Sequence, residues 1–150
     1  MTKKLDYLII AEKALIIEFY RGKYYVDELI DFKKKVGNDK EYNPCYNIIQ
    51  DFREVEFLFK INEVSKYVEF ISNNEKYLAR RKSTMITETP NQVVTSIGFE
   101  ILKKELPIQV KVCSTVEVAF AFVKLPGCDW EIVESLIDNL KNATEQLFIE

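Results

Sequence analysis

The sequence predicts an α/β domain on a mainly parallel sheet of about five strands, opened by an antiparallel hairpin. Three observations carry that reading. Short β-rich runs alternate with amphipathic helical periods, the pattern of repeated strand–helix–strand units. The first two runs are separated only by the polar break Glu12-Lys13, too short for the crossover that parallel neighbours need. Two capping-box signatures, Thr89-Pro90-Asn91-Gln92 and Ser114-Thr115-Val116-Glu117, mark helix starts directly after strands.

Residues 8–10 and 14–20 read as the hairpin, and Arg21-Gly22-Lys23 turns the chain. A first helix is expected over 26–36. Asp27 and Glu28 lie in its first turn, Lys33, Lys34 and Lys35 in its last, and Gly37 just beyond, an order that complements the helix dipole. The breaker Asn43-Pro44 introduces a third strand over 46–53. Asn62 is placed to cap a second helix with the stripe Val64, Tyr67, Val68 and Ile71. A fourth strand follows over 83–87. Thr89 then caps a third helix with Pro90 in its first turn. Gly98 inside that helix costs ~1 kcal/mol relative to Ala, which a close approach to the sheet would explain. Residues 108–113 form the fifth strand, and a short helix runs through Ala119, Phe120 and Phe122. After Pro126-Gly127, Asp129 is placed to cap a last helix with the stripe Trp130, Val133, Leu136, Ile137 and Leu140. No linker, repeat or low-complexity stretch divides the chain, so residues 1–150 are expected to form one domain.

Composition narrows the function classes. The net charge of −3 argues against a nucleic-acid partner, which a basic surplus would favour. The basic clusters Lys33-Lys34-Lys35 and Arg80-Arg81-Lys82 read as a helix end and a solvated loop. Cys45, Cys113 and Cys128 are odd in number and show no CxxC spacing. They are read as buried free thiols, with no disulfide framework and no zinc site. No apolar run approaches the length of a membrane span, and Asp6, Glu12 and Lys13 interrupt any signal-peptide core, so a cytoplasmic location is expected. The chain contains no histidine, which removes the Ser-His and Cys-His nucleophile pairs. Its four glycines stand apart, so no Gly-rich phosphate loop exists. No cofactor, metal or catalytic residue is therefore assigned, and the protein is expected not to be an enzyme.

Several local features together resemble one family. They are the hairpin followed by Gly22 and Val26-Asp27-Glu28-Leu29, then Asn43-Pro44 leading to Tyr46-Asn47-Ile48-Ile49-Gln50-Asp51-Phe52-Arg53. Thr89-Pro90-Asn91-Gln92-Val93 and Val112-Cys113-Ser114-Thr115-Val116-Glu117 complete the set. In their order these resemble the STAS-like fold of anti-sigma-factor antagonists and sulfate-transporter tails, and above all small bacterial proteins of uncharacterised function described as STAS-like. The resemblance implies a regulatory or protein-interaction module. Anti-sigma-factor antagonists carry a phosphorylatable serine between the third strand and second helix. Residues 54–62 here contain no Ser, Thr or Gly, so that switch has no counterpart in this chain.

Two candidate surfaces remain. Open α/β sheets bind ligands at the carboxyl ends of their parallel strands. Asp51 and Arg53, then Thr89, Asn91 and Gln92, then Ser114 and Thr115 fall there, as a tentative site for a small molecule. The STAS-like group is often described beside the CRAL-TRIO lipid carriers, which makes a lipid the apolar alternative. Phe52, Phe57, Leu58 and Phe59 form an apolar run read as a loop, and hence as a surface for a protein partner or for self-association into a homodimer. Tyr24 and Tyr25 are candidates for the same surface. Asp51, Glu54 and Glu56 are a loose acidic set, the only basis for an enzyme without histidine.

Overall fold

In the computed structural model, which describes residues 2–103 and 105–143, every predicted element is present in the predicted order. The strands are β1 (Lys4–Ile10), β2 (Leu15–Tyr24), β3 (Asn47–Phe57), β4 (Arg81–Ile86) and β5 (Ile108–Cys113). The helices are α1 (Val26–Gly37), α2 (Ile61–Ser72), α3 (Pro90–Leu102), α4 (Val116–Phe122) and α5 (Trp130–Asn142). β1 and β2 pair antiparallel and the other neighbours parallel, in the sheet order β1-β2-β3-β4-β5. Among the described residues no helix is long and apolar enough to cross a membrane.

Strand order equal to chain order has a direct consequence. Each parallel crossover steps the same way across the sheet, and crossovers of one hand then leave their helices on one face. Accordingly Leu29, Phe32 and Val36 of α1, Val64 of α2 and Phe99 of α3 share a core with Ile16, Tyr20, Ile48, Phe52 and Met85. Helices α4 and α5 follow the last strand and fold back over the opposite face. There Val116, Phe120, Val133 and Ile137 meet Leu15, Ile17, Ile49 and Ile86.

A bulge in β3 shapes the first face. Phe19 pairs with Asp51 but Arg21 pairs with Glu54, so β3 spends one residue more than β2 over this stretch. The alternation flips there, and Phe52, Val55 and Phe57 all turn towards α1–α3. Because the strand continues through Phe57, the expected aromatic loop does not exist as such. Phe52 and Phe57 are buried, whereas Leu58 and Phe59 are half-buried, so this run is core and not an exposed docking surface. Tyr24 is buried as well, and only Tyr25 of that pair is exposed.

Local capping departs from expectation in informative ways. α2 is closed by Glu63, whose carboxylate accepts the Lys60 amide at 3.1 Å, and Asn62 lies inside the helix. α4 is capped by Thr115, whose hydroxyl accepts from the Val118 amide, one residue beyond Ser114. Asp129 makes no side-chain cap and pairs with Lys13 instead, at 3.1 Å. Gly98 marks a close approach to α2, not to the sheet: a Cβ there would lie 2.6 Å from Ile61 Cδ1. The cysteines are not buried either, since Cys45 and Cys128 are exposed and Cys113 is half-buried.

Gly22 has φ +111°, within a strand whose neighbour Lys3 would have its Cα 3.1 Å from any added Cβ. Both backbone conformation and space therefore exclude a side chain. Gly22→Ala is expected to destabilise the protein by about 1–3 kcal/mol, measured by urea unfolding.

Candidate functional site

Most of the residues expected at the strand ends are engaged within the fold. Arg53 donates to Asp51 through Nε and Nη2, both at 2.8 Å, and Asp51 is buried beneath it. Thr89 and Gln92 form the predicted capping box. The Gln92 amide donates to Thr89 Oγ1, while Gln92 Oε1 accepts from the Thr89 and Glu88 amides. Gln92 Nε2 reaches further, to the Val55 carbonyl at 2.8 Å. Asn91 accepts from the Phe57 amide and donates to the Phe57 carbonyl, pairing with the end of β3 as a neighbouring strand would. Ser114 and Thr115 are exposed beside α4. Of the acidic set, Glu54 pairs with Arg21 and Lys141. No group of three potential metal-ligating side chains occurs among the described residues. None of these seven strand-end residues lines the cavity that the structure does contain.

That cavity, of about 70 Å³, lies between the sheet and α1–α3. Most of its wall is apolar, from Leu29, Phe52, Phe57, Val64, Met85 and Phe99. Its polar groups are buried at core positions. Glu18 of β2 and Lys33 of α1 form an ion pair at 2.9 Å, with the Glu18 side chain fully inaccessible. Tyr20 Oη and Gln50 Nε2 donate to Glu18 Oε1 at 2.6 and 3.0 Å, and Ser83 Oγ donates to Gln50 Oε1 at 3.2 Å. Lys33, Tyr20, Gln50 and Ser83 all face the cavity, and Glu18 stands behind them.

Electrostatics fix the protonation of this cluster. Burial pushes the Glu18 carboxyl up, but the Lys33 ammonium and the hydrogen bonds from Tyr20, Lys33 and Gln50 outweigh it and hold it below its ordinary 4.5. Burial draws the Lys33 ammonium down, and Glu18 opposes that shift. Tyr20 and Tyr67 are raised well above 10 by burial and then by the Glu18 charge, so both hydroxyls are neutral donors at physiological pH.

Three donors reach the cavity from three helices: Lys33 of α1, Tyr67 of α2 and Ser96 of α3. Ser96 is 1% exposed, and its Oγ has no hydrogen-bond partner among the described residues. Arg81 also lines the wall. Its guanidinium donates to the Tyr46 carbonyl, Tyr42 Oη and the Asn43 carbonyl, all neutral acceptors. Arg81 further borders a shallow groove of about 530 Å³ that gathers Arg80, Lys82, Lys103 and Lys124 and no carboxylate. The basic clusters are thus split in the fold: Lys33 and Arg81 are buried, and Arg80 is exposed.

The sequence carried a signal for these residues. Glu18 and Gln50 occupy inward positions of otherwise apolar strands, and Lys33 lies on the α1 face that also carries Leu29, Ile30 and Val36. A charge at a core position of a strand matched by an opposite charge at a core position of the next helix marks a buried pair.

Glu18→Gln would leave the Lys33 ammonium buried without a counter-charge, and is expected to cost about 3–5 kcal/mol in chemical denaturation. Glu18→Gln with Lys33→Met is expected to recover most of that loss. The lowered Glu18 value sets the pH dependence: its contribution is complete above about 4.5 and disappears as pH falls through the lower folded value. Acid titration of stability should show this loss in the wild type and not in the double variant.

No family model matches the sequence, and no curated protein matches it. Among solved structures the chain is similar to an uncharacterised protein of the DUF3478 family, with a SpoIIAA-like fold, from Shewanella loihica PV-4. The TM-score is 0.52 at 9% identity, covering 81% of this chain and 93% of that one. At that identity the likeness concerns fold alone, and together with the mixed five-stranded sheet and its five helices it makes this chain a SpoIIAA-like, STAS-like α/β fold.

Proposed function

We propose that the protein is a non-enzymatic binding module that holds a small molecule in the cavity between the sheet and α1–α3. The observation that carries this reading is the Ser96 hydroxyl, buried, unpartnered and facing the cavity. A buried hydroxyl without a partner costs about 1–3 kcal/mol, and nothing in the packing requires one at this helix position. A ligand acceptor would recover that cost. The apolar wall would take up the ligand body, and Tyr67 adds a second neutral hydroxyl to the lining. The site lies under the helices on one sheet face, away from the strand ends.

Ser96→Ala separates this role from a structural one. The variant is expected to stabilise the ligand-free protein by about 1 kcal/mol in denaturant unfolding, because a buried unpaired group is removed. It should also weaken whatever ligand co-purifies, as measured by native mass spectrometry. Destabilisation by the variant would sink the reading.

A second reading concerns self-association, moved from the aromatic run to α3. Val94, Ile97 and Ile101 are 57, 41 and 56% exposed at i, i+3 and i+7, and exposed Ile61 of α2 lies against Gly98 beside them. Glu100 is the sole charged residue of Pro90–Leu102, while exposed Glu88 precedes the helix and Lys103 follows it. Antiparallel pairing of α3 with a second copy would cover the stripe and bring each Glu88 towards Lys103 of the partner subunit. Light scattering is expected to give a dimer for the wild type and a folded monomer for Ile97→Glu. A wild type that stays monomeric at micromolar concentration would exclude this interface.

A further inference from the structure

We infer that the molecule held in the cavity is a small carboxylic acid in its anionic form, with a compact apolar body. The inference rests on the binding-module reading and adds the chemical class of the ligand. Among the described residues the cavity wall contains two cations, Lys33 and Arg81, and no carboxylate. Glu18 stands behind Lys33 and offsets one of them. No carboxylate of the described residues lies within ion-pair distance of Arg81, which is 6% exposed and satisfied only by neutral oxygens. The polar end of the site therefore carries one positive charge in excess. The groove on the far side of Arg81, with Arg80, Lys82, Lys103 and Lys124, adds to the same field.

The open hydrogen-bonding capacity has the same sign. Lys33 Nζ has three protons and spends one on Glu18. Ser96 presents a hydroxyl without a protein acceptor among the described residues, and Tyr67 lines the same cavity. The two Glu18 oxygens already accept from Tyr20, Gln50 and Lys33, so the cavity offers donors and little for a donor to meet. A carboxylate supplies two acceptor oxygens and the missing negative charge. A phosphate would bring further oxygens into a space that is otherwise ring and alkyl wall, and about 70 Å³ holds only a few heavy atoms. The rest of the ligand must then be apolar and small, a short alkyl chain packed against Phe52, Phe57 and Phe99.

Matched isosteres test the class. ¹⁵N-labelled full-length protein would be titrated with propionate and butyrate, and in parallel with propionamide and butyramide, which keep shape and lose charge. At least one acid is expected to shift the amides of residues 33, 67 and 96 saturably, with its amide about tenfold weaker or worse, the loss expected for a charge-assisted hydrogen bond. Glu18→Gln with Lys33→Met keeps the wall neutral where the pair stood, and should reduce acid binding by a similar factor. Equal or tighter binding of the amides would overturn the carboxylate assignment and leave the binding module standing. Absence of saturable shifts at these residues with all four probes would overturn both.

Discussion

The ion pair between Glu18 and Lys33 ties the first parallel strand to the first helix, and the arrangement of the helical face depends on it. Removing two charges from water is costly, and a pair of this kind adds little net stability over well-packed apolar residues. What it does is forbid alternatives. Glu18 must point into the helical face, because no other described cation reaches it. Lys33 must point inward, which sets the rotation of α1 about its axis. Tyr20, Gln50 and Ser83 then line up beside the carboxylate, extending the constraint across β2, β3 and β4. The result is a sheet face that is polar along one row and apolar on either side of it.

The two faces of the sheet are consequently built on different rules. Under α4 and α5 the contacts are aliphatic and aromatic, and the buried polar side chains are satisfied locally, Asp51 by Arg53 and Thr84 by the Lys111 carbonyl. Under α1–α3 the aromatic ladder Tyr20, Phe52 and Phe57 packs edge to face beside the polar row. Asn91 and Gln92 clamp the start of α3 to the end of β3, so the helix carrying Ser96 is registered against the strand that carries Gln50. The division follows from topology, since one set of crossovers covers one face and the trailing helices cover the other.

Much of this fold was legible in the sequence because it rests on local signals. Thr89, Pro90 and Gln92 announce a helix start with no knowledge of what lies nearby, and the short break at Glu12-Lys13 dictates a hairpin. The end of β3 was not legible. Residues 54–57 read as a loop because strict alternation fails at the bulge, and only pairing with residues 21–24 of β2 shows that the strand continues. The strand-end residues carry a related ambiguity: hydroxyl and amide side chains at helix starts are equally suited to ligands and to caps, and here Thr89, Gln92 and Thr115 act as caps. The cavity was not legible because its polar members come from six separate elements, β2, β3, β4, α1, α2 and α3. Even so, Glu18 and Lys33 each broke an apolar pattern in a way that a pairwise reading of core positions would have detected.

The bulge in β3 also bears on how relatives of this chain should be compared. The extra residue is absorbed locally: Phe19 pairs with Asp51 before it and Arg21 with Glu54 after it, so the β2–β3 ladder resumes in step. A related sequence that is one residue shorter at this point would close the bulge, restore strict alternation and keep its counterparts of Val55 and Phe57 towards α1–α3. A single gap at this position of an alignment therefore leaves the cavity lining in place. A gap elsewhere in β3, with the bulge kept, would instead exchange interior and exterior along the strand beyond it.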